Sequence, residues 1–226
     1  MESVINQRFT TLQTVLSIAI ALVAVVKIIL LIIIPRDIWI PTAVKIAAGI
    51  ILILLAVSGK KIRKNSFSVL IFVTLLVFLV ADILMKLWFI AGAVLFGIGH
   101  ILLAIAFLKK NKPTKTGWIL WIAISVVIGA VIFLFLPGIV PKGYLGCAGM
   151  TLYAFAIVLM VVCAVRMQKI LAFAAYAFIL SDFLLVPDML SKKFVWCHCI
   201  STALFYLALW LICHYLILQE ENLTSK

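Results

Sequence analysis

The sequence predicts an all-α, polytopic membrane helix bundle of about eight transmembrane helices. Three observations predict it. The 226 residues are 67% hydrophobic and 12% charged, whereas a soluble domain is about half apolar and a quarter charged. Apolar runs recur along the chain at about 20 residues each, the length that crosses roughly 30 Å of hydrocarbon at ~1.5 Å per residue. The segments between them are short and rich in Pro, Gly, Lys and Asn, which are turn residues. A water-soluble chain of this length would wrap its core in a charged shell, and the charges for one are missing.

The elements follow in order. A first span over 12–34 has the length of a retained helix rather than a signal-peptide core, and Pro35-Arg36-Asp37 is no small-residue cleavage site. A second span covers 39–57. The third and fourth, 66–86 and 88–108, are divided by a single Lys-Leu step, with Lys86 and Trp88 acting as interfacial anchors that favour a turn over one long bent helix. The fifth span is 118–136, the sixth 144–165, the seventh 169–187, closed early by Pro187, and the eighth 194–217. No internal repeat or low-complexity segment interrupts them, so residues 1–226 read as a single integral membrane domain.

Eight spans put both ends on one side, and the loops then sort into two sets. One set holds Arg8, Lys60, Lys61, Arg63, Lys64, Lys109, Lys110, Lys112, Lys115, Arg166, Lys169 and Lys226; the other holds Arg36, Lys86, Lys142, Lys192 and Lys193. Positive charge accumulates in cytoplasmic loops, so both termini are expected in the cytoplasm, and the chain is expected as a multi-pass protein of the cell membrane. The net charge of +12 sits in short juxtamembrane turns. That arrangement excludes a folded nucleic-acid-binding module and fits attraction to anionic lipid head groups. Five cysteines, Cys147, Cys163, Cys197, Cys199 and Cys213, fall in or beside apolar runs and read as small core residues.

Ionisable side chains at membrane depth cost at least ~2.5 kcal/mol on insertion scales, so they mark cavities or partners. Lys27, Lys45, Asp82, His100 and Asp182 are such residues. Counting ~1.5 Å per residue from the outer ends places four of them roughly 5 to 11 Å deep and His100 about 18 Å deep. Tyr153 and Tyr206 fall at comparable depth. The expected pocket is lined by Asp82, Asp182, Lys45, His100, Tyr153 and Tyr206 and opens toward the outer half of the membrane. Lys27 is read instead as snorkelling to the interface. Cys197-His198-Cys199 lacks a second ligand pair at zinc spacing, and adjacent helical residues point apart, so no metal is expected. Gly92, Gly97, Gly99, Gly146 and Gly149 are expected at close helix contacts, and His214 at the cytoplasmic interface.

Ala81-Asp82-Ile83-Leu84, Phe89-Ile90-Ala91-Gly92 and Phe96-Gly97-Ile98-Gly99-His100 together resemble the core motif of the YhhN family, which includes membrane lysoplasmalogenases. Lys45 resembles the family's second-span lysine, Tyr153 with Met160 its sixth-span pattern, and Ser181-Asp182 its seventh-span Ser-Asp pair. The resemblance runs over roughly residues 40 to 212. Three positions depart from it: Ala81 replaces a glycine, Ile46 a proline and Leu209 a glutamine.

The resemblance implies hydrolysis of the vinyl ether bond of a lysoplasmalogen, a one-chain ether lysophospholipid, to a fatty aldehyde and glycerophosphoethanolamine or glycerophosphocholine. It implies Asp82 and Asp182 as the catalytic carboxyl pair, with His100 positioning water or tuning one of them. Lys45 would bind phosphate, and Ser181, Tyr153 and Tyr206 would contact substrate. No cofactor is implied. Such chemistry parallels glycoside hydrolysis, in which one carboxyl donates a proton and a second, charged one steadies an oxocarbenium-like state. The runner-up reading is a small proton-coupled transporter or lipid-binding protein using the same charged layer. No inverted repeat or span broken at its middle supports it.

Overall fold

A computed structural model describes residues 11–33, 39–58, 66–138, 143–191 and 194–224. Eight helices fill them: α1 (Thr11–Ile33), α2 (Ile40–Ser58), α3 (Ser66–Leu87), α4 (Phe89–Lys110), α5 (Lys115–Phe135), α6 (Tyr144–Ala164), α7 (Lys169–Ser191) and α8 (Val195–Thr224). Among the described residues there is no strand. All eight are long and apolar enough to span a bilayer, and the chain is an integral multi-pass membrane protein. A lipid solvent leaves backbone groups no partner but each other, which is why every span is a helix.

The boundaries agree with the sequence reading to within a few residues, with two exceptions of physical interest. The seventh helix was expected to stop at Pro187 but runs on to Ser191 with Pro187 inside it. Proline removes one N–H but does not forbid the next turn. The eighth helix likewise outlasts its apolar part, Val195–Leu218, and reaches Thr224. The third and fourth helices are separate, because Trp88 alone leaves helical geometry, at φ −150° and ψ 91°. Arg8, Lys60, Lys61, Arg63, Lys64 and Lys226, and on the other side Arg36, Lys142, Lys192 and Lys193, lie outside the described residues, as does Pro35-Arg36-Asp37.

Helix contacts close into a ring. α1 packs on α2, α2 on α3, α3 on α4, α4 on α6, α6 on α7, α7 on α8 and α8 back on α1, while α8 also reaches across to α2 and α3. α5 stands outside the ring against α6. Burial follows this order: α8 is the most enclosed span, and α1 and α5 are the least. The outward faces carry large apolar side chains such as Val126, Leu134 and Ile119, which water would penalise and acyl chains accept.

Glycine sets the tightest crossing. A Cβ on Gly92 would lie 2.4 Å from the Met85 backbone nitrogen, and one on Gly99 would lie 2.3 Å from the Phe78 ring, so α3 and α4 approach as closely as they do only because those side chains are absent. The reading fails at Gly149, where an added Cβ would meet nothing within 4 Å; that residue faces outward from α6.

Candidate functional site

Six of the ring helices each direct one polar side chain inward, and five of these side chains sort into two bonded groups. The first joins α2 and α3, where Lys45 Nζ donates to Asp82 Oδ1 in a salt bridge. The Asp82 side chain is 5% exposed and that of Lys45 28%. Lys45 Nζ also lies 5.9 Å from the Phe96 ring centre and 5.6 Å from that of Phe205, a distance at which an ammonium gains from an aromatic face.

The second group joins α4, α6 and α7. The Tyr153 hydroxyl donates to Asp182 Oδ2 at 2.7 Å, and His100 Nε2 lies 3.2 Å from that hydroxyl and 3.7 Å from the same carboxyl oxygen. The other ring nitrogen, Nδ1, sits 3.4 Å from the Met160 sulfur. His100 is almost fully buried, whereas the Asp182 side chain is 24% exposed. Of the two carboxyls, Asp182 is thus the one reachable from outside the bundle.

A layer of aromatic rings packs against both groups. Phe78, one helical turn from Asp82, has ring-centre distances of 5.2 Å to His100, 5.4 Å to Phe96 and 5.7 Å to Phe178. Phe205 closes the layer against Phe96 and Phe178. The two groups still feel each other: the field of Lys45 reaches Asp182, and that of Asp82 reaches Tyr153.

Tyr206 and Ser181 take different places. Tyr206 lines a small cavity with Asp82 between α2, α3 and α8. Ser181 turns the other way on α7, and its hydroxyl donates to the Ser201 carbonyl of α8 at 2.9 Å and lies 3.2 Å from the Ser201 hydroxyl. The structure therefore engages Ser181 in a clasp between helices.

Lys27 does not snorkel. It is 4% exposed, and its Nζ donates to the Pro41 carbonyl at 2.8 Å. The α1–α2 contact covers its side chain, and a first-turn carbonyl of α2 offers an acceptor nearer than the interface. Its field reaches Lys45, Asp82 and Lys86, so it belongs to the outer edge of the same polar layer. Met160, named with Tyr153 in the sixth-span pattern, lies seven residues after it on α6, which places both on one helix face. Nothing in the sequence signals the seat of Lys45 on Phe96 and Phe205, since the three residues lie on three different helices.

The YhhN family model matches residues 40–216, most of the chain and every element of the ring except α1. The chain belongs to the YhhN family. No curated protein and no solved structure matches it. Of the positions read as departures from the family pattern, Ala81 is fully buried in the core, whereas Leu209 lines the cavity beside Asp82.

Proposed function

We propose that this YhhN-family protein hydrolyses the vinyl ether bond of a lysoplasmalogen, with Asp182 as proton donor and Asp82 as the charged stabiliser. The observation that carries the reading is the unlike company of the two carboxyls: Asp82 is paired with an ammonium, whereas among the described residues Asp182 accepts from a phenol and has an imidazole 3.7 Å away.

The hydrogen inventory supports this division. The Tyr153 O–H is spent on Asp182 Oδ2, so the phenol oxygen can accept from His100 Nε2, where a neutral imidazole can carry its hydrogen. A neutral Asp182 then accepts through Oδ2 and holds its own proton on Oδ1. The alternative moves that proton to His100 and buries an imidazolium and a carboxylate in an apolar interior, which costs far more than the neutral set. Around Asp82 the count runs the other way, because an ammonium at hydrogen-bond distance favours a carboxylate.

Hydrolysis then proceeds in balanced steps. Asp182 gives its proton to the alkene carbon distal to the ether oxygen, and the alkene electrons and an oxygen lone pair leave an oxocarbenium ion. Asp82 and the faces of Phe96 and Phe205, which already carry the Lys45 cation, steady that charge. Water adds to the cationic carbon, its proton passes to Asp82, and a hemiacetal results. Asp182 takes the hemiacetal hydroxyl proton as the carbon–oxygen bond to glycerol breaks, and Asp82 returns its proton to the glycerol oxygen. Aldehyde and alcohol leave with both carboxyls restored. The acyl-chain environment of the partly open Asp182 suits the alkenyl tail, and the cationic edge formed by Lys27 and Lys45 suits a phosphate.

The test is aldehyde release from lysoplasmalogen by purified protein in nanodiscs, beside Asp182→Asn. Wild type should release aldehyde, and the variant should lose the ~10²–10⁴-fold that a positioned acid contributes. A wild type that makes none would end the hydrolase reading, and flux of substrate into liposomes without product would favour transport.

A further inference from the structure

We propose that the cavity beside Asp82 seats the water molecule consumed in the reaction, and that the Tyr206 hydroxyl holds it there. The proposal rests on the hydrolase reading above and adds to it a residue that positions the nucleophile.

The cavity lies between α2, α3 and α8 and has room for about one water molecule. Among the described residues, Asp82 and Tyr206 bring the only ionisable or hydroxyl side chains to its wall; Leu209, Leu79, Phe78 and other apolar groups make up the rest. Tyr206 is 3% exposed, and its hydroxyl has no hydrogen-bond partner among the described residues. Buried hydroxyls in a folded protein find a partner, protein or water, and Tyr206 lines a space of the right size. The field of Asp82 reaches it.

The carboxylate completes the seat. Lys45 engages Asp82 Oδ1, which leaves Oδ2 to accept from the water while Tyr206 donates to it. Two polar partners meet the minimum for an ordered buried water. They also fix its direction: one hydrogen points at the group that must receive the proton, and a lone pair is left free for the oxocarbenium carbon. On attack the oxygen–carbon bond forms, the carbon–oxygen π pair returns to the ether oxygen, and the water proton moves to Asp82 Oδ2. The apolar remainder of the wall excludes competing waters until the alkene has been protonated.

Two measurements test this in nanodiscs. X-ray radiolysis turns bound water into hydroxyl radicals, and mass spectrometry reads the hydroxylated side chains. Tyr206 should be labelled well above Tyr215, which is equally buried but does not line this cavity, and the cavity-filling Leu209→Phe should abolish the excess. In kinetics, Tyr206→Phe should lower kcat about tenfold, the worth of one hydrogen bond, with KM unchanged. In methanol-containing buffer it should also raise the ratio of mixed methyl acetal to aldehyde, which a merely structural role would not move. Labelling of Tyr206 no greater than that of Tyr215, or a phenylalanine variant with wild-type kcat and product ratio, overturns the water site. Absence of aldehyde from wild type instead defeats the hydrolase reading, and the labelling still decides whether water sits at Tyr206.

Discussion

The Lys45–Asp82 pair is where stability and chemistry are most tightly joined, and its two halves should respond unequally to removal. Asp82 is the more deeply buried partner, 5% exposed against 28% for Lys45. Lys45→Met leaves a carboxylate enclosed without its cation, a change that costs about 3–5 kcal/mol when a buried pair is broken. Asp82→Asn leaves an ammonium on a flexible stem that already reaches partial exposure and can withdraw along it, so the loss should be closer to ~1.5–3 kcal/mol, that of a hydrogen bond to a charged group. The double variant Lys45→Met/Asp82→Asn has neither orphan, and replacing a buried pair by neutral groups of similar size is often neutral. At roughly 2–4 °C per kcal/mol for a chain of this size, Lys45→Met should unfold about 6–20 °C early in detergent, read by tryptophan fluorescence, and the double variant should recover most of that. It should recover no aldehyde release, because the stabilising carboxylate is gone. Equal losses for the two single variants, with the double showing their sum, would refute both the asymmetry and the coupling.

Two further outcomes follow from the packing. Ser181→Ala should leave KM for lysoplasmalogen unchanged and lower stability by about 1 kcal/mol, the worth of one buried hydrogen bond, since its hydroxyl is spent on Ser201 of α8; a raised KM with unaltered stability would return it to the substrate. Gly92→Ala should sharply reduce the folded fraction on gel filtration, because the new methyl would meet the Met85 backbone at 2.4 Å and neither helix can yield there without opening the α3–α4 turn.

The number and limits of the spans were legible because lipid imposes one length and one secondary structure on every segment that crosses it. Asp82, His100 and Asp182 were legible for a related reason: against an apolar background, a single charge is conspicuous. Their partners were not. That Lys45 meets Asp82 while Tyr153 meets Asp182 depends on the order of helices around the ring, and hydropathy says nothing of which span neighbours which. Lys27 was misplaced because depth alone predicts snorkelling, whereas the Pro41 carbonyl that holds it belongs to another helix. Ser181 illustrates the same limit in reverse: it neighbours Asp182 in sequence, yet one step along a helix turns a side chain by about 100°, and it faces α8 instead.

The ring explains how so many polar groups are tolerated at this depth. Lys45, Asp82, His100, Tyr153, Asp182 and Tyr206 come from α2, α3, α4, α6, α7 and α8 respectively, so no helix carries more than one of them and each reaches its partners only across an interface. A helix inserted alone would expose its polar residue to acyl chains, and rotation by one residue in the assembled bundle would return it there. Satisfying the layer therefore fixes the angular setting of six helices at once, which apolar packing in lipid specifies only weakly. α5 packs on α6 outside the ring and contributes nothing to the layer, and its Ser125 hydroxyl, buried without a partner among the described residues, lies away from these groups. The same residues that the proposed reaction uses are in this way the ones that determine where each helix stands, so neutralising substitutions among them should be judged on folded protein first and on rate second.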